Sequence, residues 1–426
     1  MRRGFRAALM ALALVVAATG VAACGDDDTS GSSDGAATSG TTQAAQQPTG
    51  EPIKLGQIVA VGGAVDYPDM VAAARAAIRS INADGGINGR PVELIHCNEG
   101  NNANTAAACA RKLVNEDVVA EVGGQSLTAE RQIGAILEAA GVPQIGDNEL
   151  GIGFGTQDNE FLLYFNSSRL SNAAEAKVCA DLGLRKIGIP YIDVPVGVET
   201  ARAIENAARV AGVEVVAKAP IAANATDFTS PTQTLVGAGA ECLTPVLLNS
   251  QVIGVLKAAQ TLGATPKVVI SGGVFGGSDF EAIGDAADSV YVVSPYPPPT
   301  ETEKFPVFEQ FQADMKAEHD AGNADAPYND PFARANAINS WFAVRALERV
   351  MEDGDVEPTR EAIMAALKQA ENVDLGLPTK WSPNKPGPAQ LPRAWSGEVY
   401  ALVHRDGRLE TVTEQPFDAL PLAGLD

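Results

Sequence analysis

Imidazole is scarce in this chain. Its three histidines, His96, His319 and His404, stand too far apart for a short-spaced metal motif, and neither GxxxxGK[ST] nor HExxH occurs. A hydrolase needs a nucleophile beside a base, yet no GxSxG elbow joins a strand to a helix and no plausible catalytic Cys–His pair is found. The acids Glu352, Asp353 and Asp355 read as a solvated helix end, and Gly151-Ile152-Gly153-Phe154-Gly155 lacks GxGxxG spacing and reads as loop. What remains is chemistry without bond breaking: polar side chains in glycine-containing loops that can hold a small molecule. No catalytic residue, metal or cofactor is assigned.

The 426 residues are 46% hydrophobic and only 5% aromatic, with 42 Gly and 26 Pro, a length that fits about two domains. Acids outnumber bases by 53 to 31, for a formal charge of −22. Such a field repels phosphate backbones and argues against a nucleic-acid partner. Arg2, Arg3 and Arg6 precede the apolar run Ala7–Ala18, the n- and h-regions of an export signal assigned to residues 1–23. The run is too short for a stable transmembrane helix. Val21-Ala22-Ala23-Cys24 closes it and matches the bacterial lipobox. The match implies a diacylglycerol on Cys24 and a chain anchored to the outer face of the cytoplasmic membrane, with no other membrane contact. Gly25–Gly50 carries four Asp and no Lys, Arg or aromatic residue. It cannot bury a core, so residues 24–50 read as lipidated cysteine plus tether, spanning on the order of 25–30 Å.

Four cysteines follow: Cys97, Cys109, Cys179 and Cys242. An even count in an exported chain favours disulfides, with three connectivities possible. Chain order suggests Cys97–Cys109 and Cys179–Cys242, each pair within one proposed lobe.

From Glu51 onward short β-rich runs alternate with helical ones. Strands are expected at Ile53–Ala60, Pro91–His96, Val118–Val122 and Pro143–Ile145, and helices at Asp69–Ala83, Asn104–Glu116 and Ser126–Ala140. The rhythm restarts with strands at Phe161–Phe165, Lys186–Tyr191, Val213–Ala219, Thr244–Leu248, Lys267–Ser271 and Tyr291–Val293. Helices at Ser171–Leu182, Gly197–Ala211 and Gln251–Leu262 separate them. Helices at Pro306–His319, Asp330–Met351 and Pro358–Ala370 follow, then a hairpin of Glu398–His404 with Arg408–Val412. This pattern predicts an α/β chain of two doubly wound parallel-sheet lobes. Crossings are expected near Asn166–Ser168, Pro295–Pro299 and Leu375–Pro392, making a multi-strand hinge. Lobe 1 would hold residues 51–166 and 299–375, and lobe 2 residues 167–298 and 376–426. Such a hinge closes a cleft.

The run Ser80-Ile81-Asn82-Ala83-Asp84-Gly85-Gly86-Ile87-Asn88-Gly89-Arg90-Pro91-Val92-Glu93-Leu94 resembles a signature of the leucine/isoleucine/valine-binding family of periplasmic-type solute-binding proteins. Val119-Ala120-Glu121-Val122-Gly123-Gly124-Gln125-Ser126 and Gly141-Val142-Pro143-Gln144-Ile145 fit further stretches of that family. The resemblance covers roughly Glu51 to Met351. It implies the type I periplasmic binding protein fold and a monomer that captures a small polar or amino-acid-like solute. It also implies delivery to an ABC permease and its ATPase, or, in a sensory member, to a signalling partner. The glycine-rich run also has a structural reading: Gly85-Gly86 ends a helix and Asn88-Gly89 makes a tight turn.

Ligands of open α/β sheets sit beyond the carboxyl ends of the strands. That rule nominates Gly63 and Tyr67 after the first strand. After the third it nominates Gln125 and Ser126. The resemblance gives Ser126 the part of holding a ligand carboxylate. After the fourth strand come Asp147 and Asn148, where the family offers a small residue and Thr; an acid there repels a carboxylate. The second lobe offers Asp193, Asn249 and Phe275, the last either a wall of the cleft or a side chain packed under the glycine loop. The family's ammonium-pairing Glu is replaced near there by Val274-Phe275. Tyr296 and Tyr328, near crossings, are candidates to close over the cleft.

Overall fold

Alanine dominates the first helix of the fold, and its small side chains let neighbours approach closely. The computed structural model describes residues 47–63, 66–148, 155–164, 168–272, 275–412 and 415–424. The export signal, Cys24 and the tether up to residue 46 lie outside the described residues. So do residues 151–154 of the glycine run, residues 166–167 of the first expected crossing, and Val274.

The first sheet is built from β1 (Ile53–Ile58), β2 (Val92–Cys97), β3 (Ala120–Val122), β4 (Gln144–Ile145) and β5 (Glu160–Phe161). Its order is β2-β1-β3-β4-β5 and every pairing is parallel. Between these strands run α1 (Pro68–Ala83), α2 (Ala103–Asn115) and α3 (Glu130–Ala139). Met70, Ala73, Ala74, Ala77, Ile78 and Ile81 are buried on α1, consistent with the 3.6-residue period of its sequence. Asn102 caps α2, its side chain accepting from the N–H of Asn104 and Thr105.

Next come α4 (Ser168–Asp181), β6 (Lys186–Ile192), α5 (Pro195–Ala211), β7 (Glu214–Ile221), α6 (Thr229–Gly237), β8 (Cys242–Leu243), α7 (Asn249–Thr261), β9 (Lys267–Ser271), α8 (Gly277–Ile283) and β10 (Val290–Ser294). The chain then forms α9 (Val307–Asp320), α10 (Ala335–Asp353) and α11 (Arg360–Leu367), and ends with β11 (Glu398–Arg405), β12 (Arg408–Thr411) and β13 (Phe417–Asp418). The second sheet has the order β12-β11-β10-β9-β8-β6-β7, with β13 on β11. β6 to β10 pair in parallel, whereas β11 runs antiparallel to β10 and β12.

This is the expected two-sheet α/β fold, with several departures, one being that the strand expected at Thr244–Leu248 lies at Cys242–Leu243. The strand expected at Phe161–Phe165 does not open the second sheet: β5 pairs β4 and completes the first. The second sheet is mixed, because the C-terminal hairpin joins its edge. Helices α6 and α8 carry no apolar stripe long enough to announce them.

α9 and α10 pack on α1, beside the first sheet, although they follow β10 of the second. Three passages of chain meet at one aromatic cluster. Tyr164, after β5, lies 5.8 Å between centroids from Tyr296, after β10, and 5.8 Å from Trp395, before β11. Tyr296 stacks on Phe342 of α10 at 5.2 Å. The indoles of Trp381 and Trp395 donate to the carbonyls of Leu162 and Leu163, and the Tyr164 hydroxyl to that of Thr379. Tyr296 is thus a buried member of this cluster, its hydroxyl donating to Asn339 Oδ1 at 2.5 Å, and not a lid. Tyr328 packs edge-on to His319 of α9.

The disulfides are Cys97–Cys109 and Cys179–Cys242, joining β2 to α2 and α4 to β8. Each staples a helix to its own sheet, so neither links the two sheets.

Candidate functional site

The carboxyl ends of β3 and β4 turn sharply. Gly123 and Gly146 both adopt φ > 0, at +59° and +69°. A Cβ on Gly123 would lie 2.6 Å from Ser340 Cα, so the glycine lets α10 close on the strand end. The Gly123 carbonyl accepts from Ser340 Oγ at 3.0 Å and from Gln57 Nε2 at 3.1 Å. Asn339 donates to the Gly146 carbonyl, and Asn336 Nδ2 to Gln125 Oε1 at 2.8 Å. Asn336, Asn339 and Ser340 have the i, i+3, i+4 spacing of one helical face. Gly123→Ala is expected to lose about 2 kcal/mol of stability in thermal unfolding, since it combines an unfavourable φ with a backbone clash; an unchanged Tm would contradict this packing.

Beneath these loops lies a cavity of about 10 Å³. Gln125, Ser126, Asp147 and Asn148 line it together with Ile58, Glu121, Glu130, Ile133 and Gln144. Four residues nominated by the sequence therefore meet in one place. Ser126 Oγ donates to Glu99 Oε2 at 2.6 Å and accepts from the N–H of Thr128 and Ala129. Its single proton is directed to Glu99. Asp147 accepts from Gly124 N at 3.0 Å and from Gln144 Nε2 at 2.7 Å. Its other neighbour is Glu121, whose carboxyl is pushed well above the usual range by burial and then by the Asp147 charge. Burial raises Asp147 too. Because both Asp147 oxygens already accept, the proton of the pair belongs on Glu121. Asn148 is 1% exposed and neither its Nδ2 nor its Oδ1 has a partner; Gln125 Nε2 also has none.

The other nominated residues stand elsewhere. Gly63 is exposed. Tyr67 lies under the Arg334 guanidinium at 4.8 Å, and Arg334 pairs with Asp69. Asp193 lines an open groove with Val194, Pro195, Val198, Glu199 and Arg202, at the carboxyl end of β6. Asn249 Nδ2 donates to Asp279 Oδ2 at 3.1 Å. Phe275 is buried edge-on to Phe280, its ring centroid 5.6 Å away. The carboxyl end of β9 approaches the first sheet's loops through α10, the Ala335 N–H donating to the Gly272 carbonyl at 3.4 Å.

Sequence reasoning missed Glu99, Glu121, Gln144, Arg334, Asn336 and Asn339. One signal was available: Glu121 is an acid inside an otherwise apolar parallel strand, which reads as a buried charge that needs a partner.

Comparison with known proteins places the chain among binding proteins. The family described as periplasmic binding protein matches residues 52–390. The Leu/Ile/Val-binding protein homolog 7 of Brucella abortus (strain 2308) is 24% identical over 390 residues, covering 87% of this chain and 93% of that protein. An extracellular ligand-binding receptor from Verminephrobacter eiseniae superposes with a TM-score of 0.71 at 17% identity, over 84% of this chain and 99% of the other. A solute-binding protein of an ABC transporter from R. palustris, solved with 4-hydroxybenzoate, gives a TM-score of 0.69 at 19% identity, over 88% and 99%.

Proposed function

Because this chain belongs to the periplasmic binding protein family, we propose that it is the solute-capturing component of an ABC importer. Membership makes it an extracytoplasmic binding protein of the type I fold rather than an enzyme. In this reading residues 51–166 with 299–375 form one lobe and 167–298 with 376–426 the other. A small polar solute lies between them, against Gln125, Ser126, Asp147 and Asn148 on one side and Asp193, Asn249 and Phe275 on the other. Gly63 and Tyr67 border the entrance. The observation that supports it best is that two sheets, each stapled only within itself, are joined by three passages packed on one aromatic cluster. Such an arrangement permits bending between bodies that stay rigid. The solute shifts the population toward the closed state because only there does it touch both lobes. The closed monomer then docks on a permease driven by its ATPase, with Cys24 carrying the lipid that keeps it at the membrane. Among the described residues no helix is long and apolar enough to cross a membrane.

Thermal-shift screening of amino acids, amides, polyamines and small aromatic acids tests this reading. One class should raise Tm progressively with concentration. Mass spectrometry of the purified protein should find a compound of that class. A protein that no solute stabilises, yet that turns over an ester or glycoside, would refute capture.

A further inference from the structure

The polar cavity under Gln125 and Asn148 differs from a carboxylate site in three respects. No Lys, Arg or His lines it, while Glu121, Glu130 and Asp147 do. The Ser126 hydroxyl directs its only proton to Glu99, and its oxygen takes up the N–H groups of Thr128 and Ala129 that lead into α3. The groups left over are the Nδ2 and Oδ1 of Asn148, which is 1% exposed, the Nε2 of Gln125, which is 5% exposed, and the Oε2 of Glu121, whose carboxyl burial and the Asp147 charge keep protonated and so neutral. A carboxylate brought here would lose its water, meet no cation and face the Asp147 carboxylate beside a Glu121 that keeps its proton. An uncharged group that both donates and accepts would meet partners of each kind.

We infer that this floor of the cleft selects a solute by an uncharged polar terminus, a carboxamide or hydroxyl, and discriminates against the corresponding carboxylate. The inference rests on the capture reading and adds the chemical class of the group recognised. The terminus accepts from Gln125 Nε2 and Asn148 Nδ2 and donates to Asn148 Oδ1. The cavity, about 10 Å³, holds one water-sized group, so a hydroxyl enters it whole, whereas a carboxamide inserts one of its two polar atoms and leaves the rest of the solute at the mouth. Discrimination arises because a buried amide left unpaired is unfavourable, and a group of the wrong charge satisfies only half of it.

The test uses matched pairs on the intact chain: propionamide with propionate, butyramide with butyrate, and benzamide with benzoate, plus benzyl alcohol for the hydroxyl arm. Calorimetric titration at pH 7 should give an uncharged member binding about tenfold or more tighter than its carboxylate. Asn148→Leu should abolish that preference, and Gln125→Leu should reduce it. Circular dichroism melts identify a variant that fails to fold, and Asn148→Ser, which keeps a donor and an acceptor, should retain part of the preference. Equal or tighter binding of the carboxylates overturns the inference. So does a crystal structure in which a water fills the cavity and the solute's terminus lies elsewhere. If no member of any pair binds but an amino acid from the wider screen does, the inference falls and the capture reading stands. If nothing in either panel binds, both fall.

Discussion

Replacing Cys179 and Cys242 together by alanine is expected to lower the unfolding free energy by about 4 kcal/mol, against about 3 kcal/mol for Cys97 with Cys109. The separations are 63 and 12 residues, and the longer closed loop removes more chain entropy from the unfolded state. Cys179 and Cys242 are also fully buried between α4 and β8, so their loss leaves a packing defect as well. Against a typical domain stability of about 5–15 kcal/mol, a loss of that size brings the fold close to its limit. Urea unfolding at pH 7 reads both numbers. A smaller loss for the long loop than for the short one would contradict the assignment. Both bridges require an oxidising compartment, in keeping with an extracytoplasmic binding protein.

The second large effect is a pH dependence. Glu160 closes the first sheet beside β4, and burial, with the Asp147 charge acting in the same sense, raises its pKa to about 7. The folded chain keeps this proton at pH values where the unfolded chain, at its ordinary value of 4.5, has lost it. Stability from this group is therefore highest in acid and falls as pH rises from about 4.5 to about 7, then levels. The span corresponds to about 3 kcal/mol. Glu160→Gln removes the slope, so the variant should match the natural chain near pH 4.5 and exceed it by up to about 3 kcal/mol at pH 8. Denaturant midpoints at pH 5, 6, 7 and 8 measure this. Parallel curves for the two proteins would show that Glu160 ionises normally. Glu121 and Glu175 are raised in the same direction by burial, so a residual slope of the same sign should survive in the variant.

Much of this architecture could be read from the chain. Helix α1 shows itself through a buried stripe of Ala, Met and Ile, and Pro195 at the start of α5 and Gly212 at its end bracket a helix by backbone chemistry alone. The loops after β3 and β4 were legible for a topological reason, since parallel strands direct ligands to their carboxyl ends. What the residues there do was not. Ser126 reads as a free hydroxyl until Glu99, 27 positions away, takes its proton. Asp147 reads as an exposed acid until Glu121 and Gln144 enclose it. Gln125 depends on Asn336, 211 positions later, on a helix that returns from the second sheet's side of the chain. Local pattern carries strands and caps; partners brought in over such distances are set by tertiary packing, which no window of sequence contains.

Capture between two lobes requires that one solute be gripped from both sheets at once. Isothermal titration of the best-binding compound from the screen should therefore be run on Gln125→Ala, at the end of β3, and on Asp193→Ala, at the end of β6. Each is expected to weaken binding by about tenfold or more, because closure stabilises the complex only when both contacts are made. Loss in one variant with unchanged affinity in the other would place the solute on a single sheet and contradict capture between two lobes.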